Sequence, residues 1–310
     1  MAKTSFPVDL HNPGQVFACL GFLEAADILL DHAAGEFDWS DSTNVVFRLS
    51  AGGNDNPVAA VLEFLASAEV RQWAPDSSAT SDGDNPDESD EPADEEIDRS
   101  DTFPARQGDR MSLPIRLHRR DRDPIELTHW ADGSTRNSFK LYAGNRSAAK
   151  IARAMLSGVR EKPKRKQNIG DLKTKGISQL WEESRQDLIA RPLHVLTPMG
   201  GSFNFDPRGA WTAIDAGYSP NDQGHQVAAS PVVEFLAAWG LENARPEQLE
   251  QRKVRYAVWG VLLPPALARA VLGGGLSTVP PTVPLKHFRF DLALAGKNKV
   301  VTFAEMEASQ

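Results

Sequence analysis

Sixteen Lys and Arg fall between residues 116 and 176, against six Asp and Glu. That is the side-chain chemistry phosphate groups demand, because each phosphate neutralised releases a condensed counterion. Arg119, Arg120 and Arg122 share one charged turn, and Arg136 and Lys140 follow it. Lys150, Arg153 and Arg160 lie along a helical pattern, Lys162, Lys164, Arg165 and Lys166 form a basic run, and Lys173 and Lys175 come after. The turn suits base edges in a groove, where bidentate Arg to guanine is the commonest specific contact. The lysine-rich run suits the phosphate backbone. A solvated face would use fewer bases, and the whole set is expected to contact nucleic acid.

Hydrolytic chemistry needs an activated nucleophile or converging metal ligands. The seven histidines are scattered, with no pair at the i, i+4 spacing that places two ligands on one helical face. His118 and His129, with Asp121, Asp123 and Asp132, form the best metal candidate, and surface histidines on a basic hairpin explain the same residues. No Gly-x-Ser-x-Gly elbow and no Cys/His arrangement is present. Cys19 sits in an apolar run and reads as a buried small hydrophobe. No catalytic residue, metal or cofactor is therefore expected. The loop Ala51–Asp55 before Asn56-Pro57 combines Gly residues with a helix start, but it lacks the lysine and spacing of a phosphate loop. Phe203 and Phe205 can stack bases with Arg208 near a phosphate or base edge, and alternate Phe residues equally mark one buried strand face.

The net charge of −8 over 310 residues is misleading. Residues 76 to 101 hold twelve acids and one base, Arg99, and the remainder of the chain is weakly basic. Residues 75–108, rich in Asp, Glu, Ser and Pro, cannot bury enough surface to offset ordering entropy, so a disordered insertion is expected there. No run approaches the roughly 18 apolar residues of a membrane span, and the first residues lack the apolar stretch of a secretory signal. The chain reads as cytoplasmic, with no membrane partner.

The positioning elements follow from periodicity. Asn12 and Pro13 cap a helix that runs from Gln15 to His32 and ends near Gly35. A strand at 44–49 precedes a helix from Asn56-Pro57 to about Trp73. Residues 111–117 and 125–130 alternate as a hairpin whose Arg-rich tip projects. A short strand is expected at 139–142, a helix at 145–160, and a strand at 193–196. A short helix at 211–217 comes next, closed by Gly217. A helix at 231–239, a strand at 254–262, a helix at 265–272 and a terminal hairpin over 287–303 complete the pattern. The fold class is α+β, with mixed or antiparallel sheets, packed helices and the acidic insertion. Its segments are 1–74, 75–108, a basic region at 109–190, and 191–310, with 1–74 and 109–310 able to form one globular unit.

Two stretches carry a family resemblance. Asn12 to Glu24, and then Phe203 to Arg208 through Asp215 to Pro220 with Pro231 to Ala237, resemble a group of type I-G (formerly I-U) CRISPR-associated proteins. That group looks like the compact large subunit of a Cascade-type complex. The resemblance implies partnership with CRISPR RNA, target DNA, other Cascade subunits and a helicase–nuclease effector. It further implies a role in reading the motif that flanks the target and in recruiting the effector, in antiviral defence. It transfers no role to any single residue. Two other expectations from the residues are a metal-dependent nuclease or RNA-processing enzyme built on His118 and His129, and a protein-only adaptor whose basic block binds acidic protein surface.

Overall fold

Asn12 begins the central helix. Its side chain accepts from the Gln15 amide at 3.1 Å, and Pro13, with no N–H to lose, opens α1 at Pro13–Leu30. In this computed structural model the described residues are 1–76, 97–101, 113–119, 122–128, 130, 139–142, 146–161, 170–209, 227–275, 279–295 and 297–308. Side-chain caps from Asn56, Ser147 and Ser230 likewise start the helices α2 (Pro57–Ser67), α3 (Ala148–Ser157) and α5 (Pro231–Gly240), with Pro again opening α2 and α5. α4 spans Ile177–Ala190 and α6 spans Pro265–Leu272.

The fold is α+β. β1 (Ala2–Pro7), β3 (Val46–Ala51) and β2 (Ala34–Asp38) form one antiparallel sheet in that spatial order. β4 (Glu69–Pro75) joins β5 (Ile97–Ser100) in parallel and β6 (Ile115–His118) in antiparallel, and β7 (Ile125–Leu127) pairs with β6. β8 (Val159–Arg160) with β9 (Leu172–Thr174), and β10 (Thr197–Pro198) with β11 (Ala228–Ala229), make two short ribbons. β12 (Glu247–Glu250), β13 (Lys253–Trp259), β14 (Leu285–Ala295) and β15 (Asn298–Val301) make the last sheet, with β16 (Glu305–Met306) on β14.

α1 and α5 pack backbone to backbone at the centre. A Cβ on Gly21 would lie 2.0 Å from the Leu236 carbonyl oxygen, and one on Gly240 would lie 2.3 Å from that of Phe17. Such contact removes almost all water from both helices. Around them Phe17, Tyr256, Phe288 and Phe290 pack ring on ring, and residues of 1–74, 113–193 and 203–304 share one apolar cluster. α1, with mean hydropathy 1.4 over 18 residues, has the length and composition of a membrane span, yet 83% of it is buried inside this fold.

Several expectations change. Residues 69–75 are a strand, not the end of a helix: Ala68 turns extended (φ −73°, ψ 135°), and Val70, Gln72 and Ala74 then alternate inward. Residues 34–38 form β2 where the sequence suggested a helix stop. Ile97–Ser100, inside the acidic stretch, is an ordered strand because β4 offers it an open edge; residues 77–96 and 102–108 lie outside the described residues. Residues 193–196 form a turn and extended chain, with pairing beginning at Thr197. No strand forms at 139–142, and the expected helix at 211–217 lies outside the described residues.

Candidate nucleic-acid interface

The β6–β7 hairpin forms where the sequence places one, but Arg122 of its turn docks on α1 instead of projecting, and the hairpin carries its own counter-charge. Arg116 donates to Glu126 at 2.7 Å and lies 3.9 Å over the Trp73 ring. Asp98 of β5 stands 2.6 Å from His118 Nε2 and 3.7 Å from Arg116. The acidic stretch thus supplies a carboxylate to the hairpin. His118 meets that carboxylate, while His129, Asp121 and Asp132 lie outside the described residues. At the hairpin's end Arg122 donates to the Leu29 carbonyl at 3.2 Å, taking up an orphan acceptor in the last turn of α1. Arg119 is exposed.

Roughly 26 Å away, at the rise of an α-helix, the other end of α1 holds a buried charge node. Asp206, 1% exposed, accepts from Asn12 Nδ2 at 3.2 Å, from the Ser230 amide at 3.1 Å, and from Arg208 through Nε and Nη2. Arg208 Nη2 also donates to the Leu193 carbonyl at 2.8 Å. Glu234, fully buried on α5, accepts from the amides of Asp206 at 2.8 Å and Phe205 at 3.2 Å. Burial pushes its carboxyl up to about 7, and the Asp206 carboxylate pushes the same way. Arg208 is therefore committed to this node, which corrects its expected role at a phosphate or base edge. Phe203 and Phe205, 1% and 2% exposed, are core side chains stacked on Trp130 and Phe139, not base-stacking platforms. At α2, Asn56 Oδ1 accepts from the Val58 and Ala59 amides, so the Gly-rich loop's helix start is capped from within.

Both halves of the familiar-looking sequence meet at this node, through Asn12, Asp206 and Glu234. Comparison with known protein families, with curated proteins and with solved structures returns no match. The residues of those stretches are the parts that lock α1 to α5.

Beside the node lies a cleft of about 460 Å³. Arg146, just before α3, forms one side. Val159, Lys173 and Thr174 of the β8–β9 ribbon form the second, and Met199 to Ser202 with Val227 and Ala229 form the third. Arg146 and Lys173 are exposed at its rim. The Arg146 guanidinium donates to the Gly200 carbonyl, which fixes it without neutralising it. The chain joining β8 to β9 contains Lys162, Lys164, Arg165 and Lys166, which lie outside the described residues along with Arg120 and Arg136.

The remaining bases divide by partner. Arg160 donates to the Gly170 carbonyl at 3.3 Å and Arg153 to the Val70 carbonyl at 3.2 Å. Lys175 pairs with Glu183, and Lys140 lies 4.8 Å from the Tyr142 ring centroid. Lys150 is half-buried on α3. The structure thus brings Lys173 to the cleft, beside the β8 strand that ends in Arg160, and leaves the hairpin arginines at the far end of α1. Arg146 is one of the sixteen bases and Gly200-Gly201 a flexible pair beside an aromatic string, but nothing in the sequence sets Thr174 apart.

Proposed function

We propose that this chain is a non-catalytic, nucleic-acid-binding subunit of a type I CRISPR RNA-guided DNA-targeting complex. It works in the cytoplasm with CRISPR RNA, target DNA, the other Cascade subunits and the helicase–nuclease. The nucleic-acid part of this reading is carried by one observation. Arg122, Arg146 and Arg160 rest on backbone carbonyls, and Arg119 and Lys173 are exposed; among the described residues none of the five has a carboxylate partner. Carbonyls hold a guanidinium in place and leave its charge available to a polyanion. The assignment to an RNA-guided complex is supported by the resemblance of residues 12–24, 203–220 and 231–237. In such complexes guide pairing reads most of the sequence, while protein binds backbone and reads a short flanking motif.

Fluorescence anisotropy with labelled duplex DNA, single-stranded DNA and RNA across a salt series tests it. Binding with log–log salt slope steeper than about −3 is expected, equivalent to at least three neutralised phosphates. Salt-independent association with a protein partner that survives nuclease treatment would replace the reading by a protein-only adaptor.

A further inference from the structure

Thr174 is 6% exposed, and its hydroxyl oxygen has no hydrogen-bond partner among the described residues. A buried unpaired hydroxyl is costly, and this one belongs to a residue that lines the cleft. Gly200 packs directly against it. A Cβ at position 200 would lie 2.8 Å from Thr174 Oγ1 and 2.1 Å from a Val159 methyl. The absent side chain is therefore a matter of space: only glycine fits against the hydroxyl at this wall of the cleft. The amides of Gly200 and Gly201 also donate to no acceptor among the described residues. By contrast, the Asn204, Phe205 and Asp206 amides that follow are all satisfied, by Ser202 Oγ and Glu234. Arg146 and Lys173 stand at the rim above these donors. Unsatisfied N–H and O–H groups beneath two uncompensated cations are the components of an oxyanion site.

We infer that this cleft seats a phosphate group of a nucleic-acid strand. Arg146 and Lys173 supply charge, and Thr174 Oγ1 with the Gly200 and Gly201 amides supplies directed donors. The volume of about 460 Å³ admits a whole nucleotide unit, within the usual size range of small-molecule sites. The phosphate chemistry stands on the cleft itself, and its delivery by a strand rests on the proposed nucleic-acid function.

The discriminating variant is Thr174→Val, isosteric and without the hydroxyl, with Thr174→Ser as the control that keeps it. The full-length chain is titrated with inorganic phosphate, followed by thermal shift, and with a labelled single-stranded oligonucleotide, followed by anisotropy. Phosphate is expected to compete with the oligonucleotide. Thr174→Val is expected to weaken both about tenfold, the value of one hydrogen bond to a charged group, and Thr174→Ser to keep both. Without ligand, the valine variant should melt about 2 °C higher, because an unpaired buried hydroxyl is gone. A merely structural threonine would give the opposite melting shift and unchanged binding. If the oligonucleotide binds wild type and Thr174→Val equally, the cleft is not the seat and the nucleic-acid function survives. If phosphate binds but the oligonucleotide does not compete, the strand is overturned as the source. If neither binds, both the seat and the function fall.

Discussion

Residues 199–208 pass through two contrasting environments within ten positions. At Asp206 and Arg208 each charge has its counterpart: carboxylate to guanidinium, carboxylate to amide, guanidinium to carbonyl. Gly200 and Gly201 line a cleft, and their amides meet no acceptor among the described residues. Arg208 and Arg146 are the same residue type with opposite fates. One sits between a buried carboxylate and a carbonyl; the other leans on a single carbonyl at an exposed rim. Compensation, rather than residue type, decides which cation is available to a ligand. The β6–β7 hairpin follows the same rule, since Asp98 and Glu126 answer Arg116 there.

The contrast is sharpest in what each arginine supports. Arg208→Ala leaves the Asp206 carboxylate, with a side chain 0% exposed, buried without its cation. A loss of about 3–5 kcal/mol is expected from breaking a buried pair on one side. Urea denaturation checks it, and a loss below about 1 kcal/mol would mean the node is not a structural lock. The paired variant Arg146→Ala, Lys173→Ala should behave the other way. Stability should move by less than about 0.5 kcal/mol, as for exposed positions without buried partners. Oligonucleotide affinity should drop about 100-fold, with the salt slope shallower by about two. Unchanged affinity would return the interface to the hairpin arginines at the far end of α1.

Much of the fold was legible in the sequence where local chemistry decides structure. The Asn-Pro starts of α1 and α2, the helix at 265–272 and the terminal hairpin all follow from caps and periodicity. What escaped depends on distant partners. β4 becomes a strand because β6 and β5 pair with it, and Ile97–Ser100 is ordered for the same reason, although its composition is that of a solvated loop. The site was legible to a similar extent. A run of bases is visible as a number, but its neutralisation is set by residues brought in from elsewhere: Asp98 to Arg116, Asp206 to Arg208, Gly200 to Arg146. Nor can one-dimensional pattern show that Thr174 is buried without a partner among the described residues.

The node and the cleft should also separate by pH. Glu234 has a folded value of about 7, raised by burial and by Asp206 from an unfolded value of 4.5. Between those limits the folded chain holds a proton that the unfolded chain has released, so stability falls as pH rises through that window. The slope is at most about 1.4 kcal/mol per pH unit, and it levels off above pH 7, where both states are ionised. Glu234→Gln, uncharged throughout, should flatten the profile, as read from urea midpoints across the window. The Arg146→Ala, Lys173→Ala variant should keep the wild-type slope, since it leaves Glu234 and its partners intact. If the cleft variant flattened the profile too, cleft and node would be one coupled unit. The wall from Gly200 to Asp206 would then transmit ligand occupancy to the packing of α1 on α5.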